Sequence, residues 1–272
     1  MPESPEIYNL TKNVLSKYIG KELNNIKINF GRYKTHGPPE NFSKFKKTFP
    51  IKCINVYKKG KVIFICFEEN WHIISKLGLM GWWSIEGEQP TWRNNNKKNV
   101  VLSFNNFTDL IYDDNTSFGS ITITDDLELI QKELDKLAPD IGNENIKFLE
   151  IQKRIEDLTP KIKNKILEDI IIDQKLIFSG IGNYLKSEIL YQAKISPLRM
   201  IKDVKMDEWK NIFKVAKKIC NKMQLILDTN DFEKYFNTMR VYQKDKDPYG
   251  NIIKIHKTSQ GRKTFYVESI QK

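Results

Sequence analysis

The stretch Ser179-Gly180-Ile181-Gly182-Asn183-Tyr184-Leu185-Lys186-Ser187-Glu188 joins two segments whose apolar residues recur at helical spacing. Its reading decides the organisation of the second half of the chain. Glycines let a turn approach another backbone closely, and the N–H groups opening the following helix point outward. A helix N-terminus of this kind favours anions, so a phosphate suits it. Asn183 either caps that helix or reaches the same phosphate. An ordinary helix–turn–helix hairpin fits the same spacing. No strand precedes the glycines, which excludes a dinucleotide-binding fingerprint.

Working outward toward the C-terminus, Trp209, Ile212, Phe213, Ala216, Ile219, Met223 and Ile226 form one apolar stripe at helical spacing. Periodic sequence continues from Phe232 to Met239. Past Arg240 the chain becomes basic and turn-rich, and the β-prone pieces 252–257 and 263–268 flank Thr258-Ser259-Gln260-Gly261-Arg262, a hairpin pattern. Toward the N-terminus, residues 126–137 read as a helix followed by Ala138-Pro139-Asp140. Before it come eight β-type runs, at 22–30, 51–57, 61–67, 71–76, 81–85, 99–105, 108–113 and 119–124. The first segment, Pro5 to Ile19, has helical spacing and stops at Gly20. The expected fold is α+β: an N-terminal helix with a two-layer antiparallel β-sandwich, then a helical domain ending in a hairpin. The expected divisions are 1–125, 126–240 and 241–272.

The chain of 272 residues carries 45 Lys and Arg against 34 Asp and Glu, a formal net charge of +11. That surplus points to a polyanionic partner, with nucleic acid favoured. No apolar run is long enough to cross a bilayer, and no signal peptide is visible. Cys53, Cys66 and Cys220 are odd in number and embedded in apolar runs, which suggests reduced thiols in an intracellular protein. With them, His36, His72 and His256 show no ligand spacing for zinc.

The N-terminus offers a nucleophile. Removal of Met1 would leave Pro2 as a secondary amine with a pKa near ~8, against roughly 10.4 for lysine. Such an amine attacks an electrophilic sugar carbon or aldehyde and forms an iminium adduct. Glu3 beside it is a candidate general acid/base.

Four motifs in order give the chain a resemblance to the formamidopyrimidine-DNA glycosylase/endonuclease VIII family. They are Pro2-Glu3-Ser4-Pro5-Glu6; Lys58-Lys59-Gly60-Lys61 with Val62-Ile63-Phe64; the Gly-Ile-Gly-Asn run with Glu188; and Gly261-Arg262-Lys263-Thr264-Phe265-Tyr266. The resemblance implies a β-sandwich, a helix–two-turn–helix domain and a C-terminal finger. It also implies that Pro2 attacks C1′ of a damaged nucleoside and that Glu3 handles protons at the sugar. Lys61 would contact phosphate and assist β-elimination, whereas spacing alone makes it a surface lysine. Arg262 would hold phosphate and assist the later elimination; Asn183, with Gly182, would bind the DNA backbone at the lesion. Glu6 either organises the N-terminus or is simply exposed. Leu79, or Met80 if the turn shifts by one, would fill the space left by a flipped nucleotide, unless both are core like Trp82 and Trp83. Phe118 matches a stacking aromatic.

Departures from the family pattern matter as well. Thr116 and Ser117 stand where the family carries two arginines that would face the base opposite the lesion. Weak opposite-base discrimination and cleavage of single-stranded or bubble DNA are therefore expected. Tyr249, Ile252, Val267 and Ile270 stand at the finger's zinc-ligand positions, so the expected finger is zincless and held by strand pairing and apolar packing. Ser4 replaces a glycine. No metal or organic cofactor is expected, and a monomer acting on damaged DNA, without a membrane, is the expected assembly. The favoured activity is a bifunctional glycosylase/AP lyase for oxidised pyrimidines and formamidopyrimidines, nearer endonuclease VIII. Alternatives are an 8-oxoguanine-type glycosylase, a catalytically silent damaged-DNA-binding protein, or a basic RNA- or ribosome-binding protein.

Overall fold

A computed structural model describes residues 2–88, 97–143, 145–229 and 231–272, except for the side chain of Phe232. Met1, whose removal the N-terminal chemistry requires, lies outside the described residues. The chain divides into two compact units. The first comprises Met1–Pro2 and Glu6–Asp135, and the second comprises Glu3–Pro5 and Lys136–Lys272. Helix 127–135 thus clusters with the strands, and residues 241–272 cluster with the helices.

Among the described residues, the first unit holds most of helix α1 (Ser4–Asn13) and eight antiparallel strands. These are β1 (Glu22–Ile28), β2 (Ile51–Lys59), β3 (Val62–Phe67), β4 (His72–Lys76), β5 (Trp82–Ile85), β6 (Val100–Phe104), β7 (Leu110–Asp113) and β8 (Ser120–Thr124). Each strand lies on one of the eight β-type runs, and the order is β5-β7-β6-β1-β2-β3-β4-β8. β1 and β2 pair only through Glu22 with Lys52 and Leu23 with Ile51, so the sheet turns a corner there. The two four-stranded halves close on one apolar core that includes Leu23, Ile26, Leu102 and Trp83 from one half and Ile63, Ile65, Ile73 and Ile123 from the other. Ile7 and Leu10 of α1 join that core. Trp83 Nε1 donates to Ser75 Oγ at 3.0 Å, pairing a buried indole with a buried hydroxyl. Short helices α2 (Arg32–Thr35) and α3 (Phe42–Lys46) fill the connection from β1 to β2, and α4 (Leu127–Asp135) follows β8.

The second unit contains α5 (Phe148–Glu156), α6 (Pro160–Lys163), α7 (Leu167–Ile170), α8 (Asn183–Ala193), α9 (Met206–Asp228) and α10 (Phe232–Asn237). On α9 the apolar stripe turns inward: Trp209, Ile212, Ala216, Ile219, Met223 and Ile226 are buried. α8 differs, because nearly its whole circumference is enclosed, including Lys186 and Glu188. Glu188 accepts hydrogen bonds from the backbone N–H groups of Arg240, Val241 and Tyr242 at 2.8–2.9 Å. This buried carboxylate fixes the path by which the chain leaves the helices for the hairpin.

That hairpin is β9 (Lys254–Lys257) paired with β10 (Lys263–Tyr266). Val241, Ile253, Phe265 and Val267 pack with Tyr191 of α8, and Ile270 joins them. Tyr249 and Ile252 are exposed instead, so apolar packing involves only Val267 and Ile270 of the four positions singled out in sequence. Asp247 organises the turn near Tyr249: it accepts from the N–H groups of Tyr249 and Asn251 and from the Tyr191 hydroxyl at 2.8–2.9 Å. Burial opposes the Asp247 carboxylate, but hydrogen bonds from Asn251, Tyr191 and Tyr249 outweigh it and lower its pKa. On the other side of the bond, burial and the neighbouring carboxylate push the Tyr191 hydroxyl up to about 12.

Candidate active site

The turn before α8 is built around Gly180, whose φ of +96° suits glycine. A Cβ there would lie 2.8 Å from the Ser4 Cβ, so only glycine admits this approach. Gln174 holds the turn from within: its Oε1 accepts from Gly180 N at 2.8 Å, and its Nε2 donates to Ile181 O at 2.8 Å. Ser4 locks the N-terminal residues to the same turn. Its N–H donates to Gly180 O at 3.0 Å, and its hydroxyl donates to Asp140 Oδ1 at 3.2 Å. The serine that replaces the family's glycine is therefore a buried, bonded residue.

These contacts put Glu3 at the start of α8. Its carboxylate accepts from Gly182 N at 2.7 Å, Tyr184 N at 3.0 Å and Leu185 N at 3.2 Å. Three N–H donors at a helix N-terminus stabilise the ionised carboxylate. Glu3 is only 2% exposed. The anion site read from the sequence therefore exists, but a carboxylate from the chain's own N-terminus occupies it. This corrects the expectation that Gly182 and its neighbours present those N–H groups to a DNA phosphate. Nor does Asn183 cap the helix: Gly182 is the cap residue, and Asn183 Oδ1 has no hydrogen-bond partner.

Asn183 and Arg262 line one groove of about 470 Å³, together with Tyr242, Lys244, Gly261 and Lys263. An adjacent groove of about 400 Å³ carries Lys222, Lys234, Arg240 and, again, Lys244. Arg262 sits in the hairpin loop, which closes through Thr258 N to Arg262 O at 2.8 Å and Arg262 N to Thr258 Oγ1 at 3.0 Å. Within the second unit the structure thus joins Glu3 to Gly182, Tyr184 and Leu185, and sets Asn183 and Arg262 on one groove. Pro2 adjoins Glu3 through their peptide bond and is partly exposed.

The remaining predicted residues belong to the first unit. Lys61 lies in the turn between β2 and β3, where it is partly buried, and Glu6 lies in the first turn of α1. Leu79 and Met80 are 46% and 45% exposed, and Phe118 is 71% exposed, whereas Trp82 and Trp83 are buried. Gly78, at φ +61°, packs so tightly that a Cβ would meet Gly119 N and Phe118 C at 2.5 Å. The Leu79–Met80 turn and the Phe118 turn therefore approach backbone to backbone, and all three apolar side chains are exposed. Asp114 shapes the second turn, accepting from Thr116 N at 3.0 Å and from Gly119 N at 2.7 Å. Arg32, which the sequence did not single out, donates to Gly119 O at 3.2 Å. No pattern in the sequence pairs residues separated so widely.

The family patterns described as Formamidopyrimidine-DNA glycosylase N-terminal domain and Formamidopyrimidine-DNA glycosylase H2TH domain match residues 1–121 and 137–227. The chain belongs to the formamidopyrimidine-DNA glycosylase family of base-excision DNA glycosylases. Similar proteins include the formamidopyrimidine-DNA glycosylase of Rickettsia bellii, 28% identical over the whole of both chains. That of Mycoplasma genitalium is 26% identical over all of this chain and 96% of its own. The Lactococcus lactis enzyme, solved non-covalently bound to DNA containing an AP site, superposes with a TM-score of 0.79 at 20% identity over 99% of each chain. A MutM structure with DNA containing carbocyclic 8-oxo-G gives 0.80 at 20% identity over the full length of both. The fold expected from the sequence is the one these structures share.

Proposed function

We propose that the chain binds damaged DNA as a monomer, excises oxidised bases through a Schiff base on Pro2 and cleaves the strand by β,δ-elimination. The Pro2 nitrogen, freed by loss of Met1, attacks C1′; the C1′–N bond breaks and the base departs. The ionised Glu3 takes the proton that the Pro2 nitrogen sheds on bonding to C1′ and passes it to the sugar ring oxygen as the ring opens, leaving an iminium between Pro2 and C1′. The iminium acidifies the proton on C2′, whose loss expels the 3′-phosphate. Lys61 holds phosphate during this β-elimination, and Arg262 does so for the δ-elimination that follows. No resident metal or organic cofactor enters any of these steps.

The observation that carries this reading is the Glu3 carboxylate anchored on the α8 N-terminus, one residue from Pro2. Asn183, which opens that helix, and Arg262 line a common groove suited to a phosphate backbone. Flipping the damaged nucleotide costs roughly a few kcal/mol of unstacking and unpairing. Leu79, Met80 and Phe118, exposed on two adjoining turns, supply apolar surface for the vacated stack, with Leu79 as the wedge and Phe118 stacking on a base. Damaged DNA is also what the similar Lactococcus lactis and MutM proteins bind in their solved structures.

We assign oxidised pyrimidines and formamidopyrimidines as substrates, in the manner of endonuclease VIII, because the finger lacks zinc-ligating residues at its four positions. Thr116 and Ser117 are short and engaged in their own turn, which supports weak discrimination of the opposite base and activity on single-stranded or bubble DNA. A panel of end-labelled oligonucleotides, each with one lesion in duplex, bubble or single-stranded form, tests all of this. The expected product is a one-nucleotide gap with phosphates at both ends, formed from oxidised pyrimidines at least as fast as from 8-oxoguanine. A base released without strand scission, or strict dependence on one opposite base, contradicts the assignment.

A further inference from the structure

Lys186 is fully buried on α8, and its Nζ makes no hydrogen bond within the protein. A buried ammonium without partners is costly, so its surroundings must compensate. Those surroundings are acidic: Glu168 and Asp169 on α7 and Glu3 at the N-terminus all favour the charged amine, while Arg262 of the hairpin opposes it. Burial is the larger influence and brings the Lys186 pKa down to about 8. Among the described residues, Glu168 Oε2, Asp169 Oδ1 and Thr264 Oγ1 in this unit are also unpartnered, as is the Asn183 Oδ1 noted above. Acceptors from α7 and β10 thus accompany a three-proton donor on α8, an arrangement that ordered water can bridge.

The same groups fasten the hairpin. His256 Nδ1 contacts Glu168 Oε1 at 2.5 Å, Ser259 Oγ donates to Asp169 Oδ2 at 3.0 Å, and Phe265 N donates to Ser187 Oγ at 3.2 Å. Thr264 lies opposite His256 in the hairpin register. Removing the Lys186 charge would leave the carboxylates of Glu3, Glu168 and Asp169 to repel one another with little bulk solvent to screen them, and two of them hold the hairpin that carries Arg262.

We propose that Lys186 is a positioning residue for catalysis: its ammonium is the buried counter-charge that lets Glu3 and the Arg262 loop stay in register. This rests on the reading of Glu3 and Arg262 given above. At alkaline pH the amine becomes neutral and the register is lost, so Lys186 sets the falling limb of the rate profile. His256 and Arg262 are the other ionisable groups facing the cluster. Pro2 governs the rising limb, because only its neutral amine attacks.

The test compares full-length wild type with Lys186→Met, Lys186→Arg and Lys186→Met/Glu168→Gln. Each is measured for melting temperature, affinity for an uncleavable abasic-analogue duplex, and single-turnover cleavage from pH 6 to 10. Lys186→Met is expected to lower the rate about 100-fold, the scale of a small misplacement of reacting groups, with a much smaller loss of affinity from the displaced Arg262. The double variant removes one charge of each sign and is expected to recover most of that loss. A guanidinium stays charged, so Lys186→Arg is expected to retain activity and move only the falling limb to higher pH. Folded Lys186→Met with the wild-type rate and profile overturns the proposal. So does a folded Lys186→Arg with the limb unmoved, or a double variant no better than the single. If wild type itself shows no cleavage, the functional reading fails with it; if wild type cleaves and Lys186→Met matches it, only the present inference fails.

Discussion

The sheet unit and the helical unit each carry one local departure from the usual rule of burial that bears on the site, and the two departures are of opposite kind. In the first, three large apolar side chains, Leu79, Met80 and Phe118, stand exposed on two adjoining turns. In the second, the charged side chains of Glu3, Glu168, Lys186 and Glu188 are enclosed. Both departures cost stability in a free protein, and each is informative for that reason. Exposed apolar turns have a use where a stack of bases opens. Buried charge has a use where a proton moves or a loop must be held in one place. In the proposed mechanism, recognition of distorted DNA falls to the sheet turns and the acid–base chemistry to the helix N-terminus.

The largest expected effect on this contrast comes from Glu3→Gln. The amide keeps the size of the side chain but loses the proton transfer, so single-turnover cleavage is expected to fall by about 10²–10⁴-fold. A loss smaller than tenfold would move the chemistry away from the α8 N-terminus. Phe118→Ala should weaken affinity for a lesion duplex by about 1–3 kcal/mol, the range for base–aromatic stacking. Its effect on a pre-opened bubble substrate should be smaller, and equal losses on both would count against a role in replacing the flipped base. Gly180→Ala strains a left-handed residue and crowds Ser4, with an expected stability loss of about 1–3 kcal/mol in denaturant unfolding. An unchanged midpoint would show that the turn can relax. The smallest effect is that of Lys61→Met, which should reduce the slope of log affinity against log salt by about 1 as one phosphate contact is lost. An unaltered slope would remove Lys61 from the DNA backbone.

How much of this was legible in the sequence follows from what periodicity can carry. The eight strands, the α9 stripe and the hairpin were readable because β-branched runs and apolar spacing report directly on burial. Pro2, Glu3, Asn183 and Arg262 were singled out through their match to the family's motifs and not by periodicity. The occupant of the α8 N-terminus was not, because Glu3 and Gly182 are far apart in the chain and no local pattern pairs them. Lys186 escaped for a related reason. A helix buried on every side has no polar face, so its lysine carries no positional signature. The finger shows a third limit: of four residues at equivalent positions, Val267 and Ile270 pack while Tyr249 and Ile252 face solvent, and residue type alone does not separate them. Asp247, whose hydrogen bonds shape that end of the hairpin, is one acidic residue among many until its partners are known.

The most direct test is to reduce the complex with an abasic-site oligonucleotide by borohydride and locate the adduct by mass spectrometry of the digested protein. The adduct is predicted on the nitrogen of Pro2 in a chain lacking Met1, and Pro2→Thr should abolish it while leaving affinity for the oligonucleotide intact. An adduct on Lys61, Lys186 or any other lysine, or no adduct at all from active protein, would contradict the mechanism.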